Sequence, residues 1–430
     1  MITKKTFNLL SLTFLYFLAS YSIEFLILGT DSSYFWCVST NFFESINAIL
    51  PIHCDEGPYR QASESLEFFF SENNPYQKRP LYILLITSLR KLVSILTFGM
   101  ISEYIEFRLA MIIVQYIILF LISLNASKYF KIEKIDFKNI LLLITLFSIP
   151  NIRWNLLFPS HGNITLLLFI YTLRKITDDR TFHTKSSFFI MMGTASLFHR
   201  SAIIYGLIFI IIRTFKNKKL NLFELFKNSF LIFFPTFLYE TIIYFSKYSS
   251  YDWNREVYGQ FYWLIDLISG NNKIYHDMSC QQLETFLNCS WTVTKNYISY
   301  FAIGIFIFAF LIILNSKKIF EVNFSNIFYI SLIIYIFWSF QGLYPNFRFV
   351  NYSLGYFIFF SLIYINYKYY KSILLSLSIL TYEFSIFYLE PYYVTRLEPN
   401  FLTFSSGLLF FIFLVTLMYL RLSEKYENIV

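Results

Sequence analysis

Apolar runs of membrane-crossing length recur along the whole chain, and Lys and Arg collect in the short connectors between them. The first run, Phe7 to about Leu28, follows Lys4 and Lys5 and is long enough to span about 30 Å of hydrocarbon. A chain built this way has few options, because in lipid every backbone polar group must be bonded within its own segment, which selects helices. Of the 430 residues 56% are hydrophobic and only 14% charged, with a mean hydropathy of +0.52, which excludes an ordinary soluble domain. The net charge of +8 follows the connectors, where the positive-inside rule puts it, and calls for no nucleic-acid partner. Transporters break helices with Gly and Pro around a midplane site, so 12 Gly and 10 Pro argue against transport.

The connectors assign sides. Lys4 and Lys5 place the N-terminus in the cytoplasm, so the polar stretch from Gly29 to Glu106 is expected outside. Pro80 to Ile95 could pass for a span, but Arg90 and Lys91 are adjacent within it and costly in hydrocarbon. It is expected to lie along the membrane as an amphipathic interface helix. Phe107 to Ser127 then crosses inward to Lys128, Lys131, Lys134 and Lys138. Asn139–Pro150, Asn163–Leu173, Ser186–Phe198, Ser201–Ile212 and Leu225–Phe245 alternate across the bilayer. A second long external loop runs from Ser246 to Asn296, and five further runs end at Arg421 and Lys425. The expected architecture is all-α, a single integral-membrane domain over residues 1–430 with about twelve spans and both termini cytoplasmic.

The cysteines fit this map. Cys37, Cys54, Cys280 and Cys289 all fall in the two loops placed outside, the distribution an oxidising compartment favours. Four cysteines allow three pairings, and proximity favours Cys37 with Cys54 and Cys280 with Cys289. No CxxC occurs, and His53 and His276 lack zinc-ligand spacing.

Chemistry is expected in the first external loop. Asp55 and Glu56 form an acidic pair, with Tyr59 and Arg60 just beyond, then Arg79-Pro80-Leu81-Tyr82. A carboxylate at the outer face can deprotonate an acceptor hydroxyl while cations hold a phosphate leaving group, which is the chemistry of sugar transfer from a lipid phosphate. The same acids could equally cap a helix that starts near Pro58. Arg153, Arg200 and Arg348 sit at expected outer ends of spans, where each could clamp a phosphate or anchor at the interface. His161 and His199 lie in the same outer turns. Glu24, Glu240 and Glu383 lie inside apolar runs with no basic partner nearby in sequence, the kind of acid that proton-coupled transport uses.

The order Asp55-Glu56, Tyr59, Ala62, Arg79-Pro80-Leu81-Tyr82, then Phe107-Arg108-Leu109, resembles the first external loop of the GT-C superfamily of polyprenyl-phosphate-sugar-dependent glycosyltransferases. The resemblance covers roughly the first third of the chain. It implies that Asp55 is the catalytic base, or binds a metal where one is used, with Glu56 beside it, and that Arg348-Phe349 matches an external Arg-aromatic pair before a late span. A second acid is common after the third span of that superfamily; this chain has His161-Gly162-Asn163 there, so a divalent metal has no clear second acid to hold it. Ile152 to Ile212, with Arg153, GNITLLLFIYTLRK and SLFHRSAIIYGLIFI, is also similar to membrane polymerases of exopolysaccharide and O-antigen synthesis. Together the resemblances imply a bacterial inner-membrane enzyme that takes a sugar from a polyprenyl-linked donor to a glycan or lipid acceptor. A flippase or transporter of the same lipid-linked glycans is the alternative class.

Overall fold

The computed structural model describes residues 4–28, 56–70, 75–130, 132, 139–140, 143, 162–177, 186–217 and 222–246. The chain divides into two units, Met1–Lys134 with Ile152–Asp252, and Ile135–Asn151 with Trp253–Val430; the helices below all belong to the first. Among the described residues the regular structure is helical and contains no strand. In chain order the helices are α1 (Lys4–Leu28), α2 (Glu56–Glu64), α3 (Leu66–Phe69), α4 (Pro80–Leu96), α5 (Glu103–Tyr129), α6 (Gly162–Thr177), α7 (Ser186–Ala195), α8 (Ser201–Asn217) and α9 (Leu222–Phe245), with a 3-10 turn at Pro75–Lys78 before α4. Of these, α5 and α9 are long and apolar enough to cross a membrane.

Local chemistry sets the boundaries. Pro80 opens α4 at a first-turn position, where a missing N–H costs nothing. Its end is marked by Phe98 and Gly99, both at positive φ (53° and 66°). The Ser102 hydroxyl accepts from the Ile105 amide to cap α5, Glu103 and Glu106 sit in its first turn, and Lys128 sits in its last, so both poles of the helix dipole are matched.

Paired contacts fix the helix directions. On α1 and α5, Thr13 meets Ser123 at 3.2 Å while Phe17 packs edge-on against Tyr116, so these two run antiparallel. Gln115 bonds Asn163 and Arg174 bonds Asn125, so α5 and α6 run parallel. The Phe169–Tyr205 and Thr165–Ser201 contacts make α8 parallel to α6. The Ser196–Thr236 and Arg200–Glu240 contacts make α9 parallel to α7. Thus α1, α7 and α9 point one way and α5, α6 and α8 the other. At the centre is α5, whose Phe107, Val114, Leu119, Ile122 and Ala126 are fully buried.

The packing of α4 follows from its partners on α5. Tyr82 is bonded to Gln115, whereas Arg90 reaches Glu103 and Glu106, so α4 runs lengthwise and antiparallel along the first half of α5. The Arg90 guanidinium lies 3.0 Å from Glu103, 3.4 Å from Glu64 and 3.9 Å from Glu106, so its charge is compensated within the protein. Lys91 faces outward and is exposed.

Candidate functional site

At the level of Gln115, midway along α5, the assembly is polar. There α6 and α8 begin, α7 and α9 finish, and α4 starts, so residues far apart in sequence converge. Tyr59 on α2 and Tyr82 on α4 are fully buried and meet edge to face, 5.6 Å between centroids. Arg79, at the N-cap of α4, donates to the Tyr59 hydroxyl at 3.3 Å. Gln115 donates to the Tyr82 hydroxyl, and Asn163 donates to Gln115, each at 3.4 Å; both amides are buried. Burial, and secondarily Tyr59, raises the Tyr82 phenol well above its ordinary range against smaller opposing effects of Arg79 and Gln115, so it stays a neutral hydroxyl.

His199 occupies the turn between α7 and α8. Its Nδ1 accepts from the Ser201 amide at 3.2 Å and lies 2.8 Å from the Ser201 hydroxyl, which assigns the ring proton to Nε2. The Thr165 hydroxyl is 3.2 Å from the ring. His199 keeps part of its surface accessible, yet it sits deep among the helices, and burial with the nearby Arg79 charge lowers it from 6.5 to about 3. It is a neutral hydrogen-bonding group, not a cation for an anion, and a weak base. Beside it, Arg200 is ion-paired with Glu240 of α9.

Two backbone clamps hold the segment that carries Arg79. The Tyr239 hydroxyl donates to the Gln77 carbonyl at 2.7 Å, and the Leu81 amide donates to the Leu197 carbonyl at 3.3 Å. Arg79 itself has no carboxylate partner among the described residues, in contrast to Arg60, Arg90, Arg200 and Arg213.

Of the residues expected from sequence, Tyr59, Arg79, Tyr82, His199 and Arg200 come together here. Arg60 does not: it lies 3.8 Å from Glu64, one turn along α2. Of the arginines expected from sequence that are described, Arg60 and Arg200 are paired with carboxylates and Arg79 is not, and Glu240 is no longer the partnerless acid it looked in the sequence. Asp55, Arg153, His161, Arg348, Glu383 and the four cysteines lie outside the described residues, as do the side chains of Glu24 and Glu56. Sequence reasoning missed Gln115, Thr165, Ser201 and Tyr239. The signal for Gln115 was there, an amide in the apolar run MIIVQYIILF; a lone Ser, Thr or Tyr in such runs carries no comparable signal. Among the described residues no group of three or more His, Cys, Asp or Glu side chains is placed to hold a metal ion. No protein-family model, curated protein or solved structure matches the chain.

Proposed function

We propose that the protein is a polytopic glycosyltransferase of the bacterial cytoplasmic membrane, moving a sugar from a polyprenyl-phosphate-linked donor to a glycan or lipid acceptor on the outer side. In this reading Arg79 neutralises the donor phosphate and Asp55 takes the proton of the acceptor hydroxyl. The observation that carries it is Arg79: a half-buried guanidinium, bonded to Tyr59, with no carboxylate partner among the described residues and beside a neutral His199. A cation kept in such a place is matched to an anionic ligand, and the planar guanidinium suits a phosphate. Tyr82, Gln115, Asn163, Thr165 and Ser201 are buried behind these residues and bond one another, a polar backing to the site. Single transfer and polymerisation share this donor chemistry.

The test is transfer of a radiolabelled sugar from defined polyprenyl-linked donors in membranes matched for protein level. Asp55→Asn removes basicity at constant size, and turnover should fall by about 10²–10⁴, the range for loss of a general base. Arg79→Lys keeps the charge but loses the two-pronged contact, and should weaken donor binding by roughly 1–3 kcal/mol. Near-normal transfer by a well-folded Asp55→Asn would refute the reading.

A further inference from the structure

We propose that Tyr239 and Glu240, consecutive residues near the end of α9, are positioning residues that hold the Arg79 segment and the His199 turn at a fixed separation. The two side chains reach different pieces of the polar region. Tyr239 donates at 2.7 Å to the Gln77 carbonyl, two residues before Arg79. Glu240 pairs with Arg200, the residue after His199. The third tie joins those pieces directly, from the Leu81 amide, two residues after Arg79, to the Leu197 carbonyl, two residues before His199. Arg79 is thus fastened at both flanks while its guanidinium keeps one hydrogen bond, to Tyr59.

The base of α9 makes it a suitable strut. Pro235 stands one turn before Tyr239, and Gly193 lets α7 close onto the backbone of α9 at that level, where Ser196 and Thr236 share a hydrogen bond. A helix anchored there passes its position on to its last turn with little slack. Loss of one clamp should therefore loosen Arg79 without touching whatever Arg79 binds, since preorganisation of the site is what is lost. Tyr239→Phe is the conservative probe, because the ring stays and only the donated hydrogen bond goes.

The inference rests on the reading of Arg79 as a phosphate contact, so two measurements are paired. The first needs no ligand: hydrogen exchange over residues 76–83 of the full chain in lipid nanodiscs should be about 2- to 12-fold faster in Tyr239→Phe, the range for one net hydrogen bond. Unchanged exchange overturns the clamp. The second is binding of a polyprenyl phosphate by wild type, Tyr239→Phe, Arg79→Ala and the double variant, with thermal midpoints compared. Tyr239→Phe should weaken binding by about 2- to 12-fold and add nothing once Arg79 is Ala, because it acts through Arg79. An equal loss in both backgrounds also overturns the clamp. Absent wild-type binding, or normal binding by Arg79→Ala, overturns the phosphate reading instead, and the exchange measurement alone then decides the clamp. Glu240→Gln, which keeps the shape but not the charge, should show the same pattern.

Discussion

Gly193 on α7 is the position where a single methyl group should do the most harm. A Cβ built there would lie 2.6 Å from the Leu231 carbonyl oxygen, 2.8 Å from that of Ile232 and 2.9 Å from Cδ of Pro235. Pro235 is part of the reason: lacking an N–H, it leaves the Leu231 carbonyl without its helical donor, and α7 packs its glycine against that carbonyl. Ordinary C···O contact begins at about 3.3 Å, so the helices must part by several tenths of an ångström against rigid backbone. Overpacking of this kind costs about 1–3 kcal/mol. Gly→Ala inside a helix returns about 1 kcal/mol of propensity, leaving a net loss of up to ~2 kcal/mol. Gly206 on α8 is the internal control. Its Cβ would meet Cδ1 of Ile232 at 2.8 Å, the far end of a side chain that can rotate away, so Gly206→Ala should be near neutral or stabilising. Thermal unfolding of the purified protein in detergent ranks the two. A Gly193→Ala as stable as wild type, or a Gly206→Ala that is the worse of the pair, would refute the packing argument.

Other perturbations separate the remaining interactions. His199 is protonated near pH 6.5 when unfolded but only at about 3 when folded, so its contribution to stability is complete above pH 6.5 and is lost as pH falls toward 3. The pH dependence of the thermal midpoint should flatten over that window in His199→Gln, and an unchanged slope would show that the imidazole is not held neutral. Arg90→Gln leaves the buried Glu106 carboxylate without its guanidinium and should cost about 1–3 kcal/mol, whereas Glu103→Gln, at an exposed carboxylate, should cost about 0–1. Equal effects of those two substitutions would mean that Arg90 acts as an ordinary surface charge.

Much of the helix layout is legible in the sequence because membrane-length apolar runs report themselves. Runs read at Phe107–Ser127, Ser201–Ile212 and Leu225–Phe245 agree with α5, α8 and α9 to within a few residues. The fate of Pro80–Ile95 is not legible, because the cost of Arg90 depends on Glu64, Glu103 and Glu106, and whether those acids reach it is a tertiary fact. The same limit governs the site. Tyr59, Arg79, Tyr82 and His199 stand out by type and by place in polar stretches beside apolar runs, but which arginine is open to an anion depends on which one finds an acid, and Glu240 lies 40 residues from Arg200. Clamps such as Tyr239 on the Gln77 carbonyl leave no trace in residue type at all, since a carbonyl is present at every position.

That dependence on pairing also bears on the choice between an enzyme and a transporter of the same glycans. A proton-coupled transporter needs an acid that gains and loses its proton during the cycle, and such an acid must be free of a permanent counter-ion. Glu240 is ion-paired with Arg200, so it already has the counter-ion that such a carrier lacks. Arg79 makes the complementary case: among the described residues its guanidinium has no carboxylate partner, and under the proposed reading its charge meets a ligand's phosphate. Fixed charge matched to a ligand, with neutral hydroxyls and amides around it, stabilises a leaving phosphate without reorganising, which is what group transfer requires. Under the proposed reading the two arginines divide the work, Arg200 as a strut and Arg79 as the contact, and the acid on α9 is what distinguishes them.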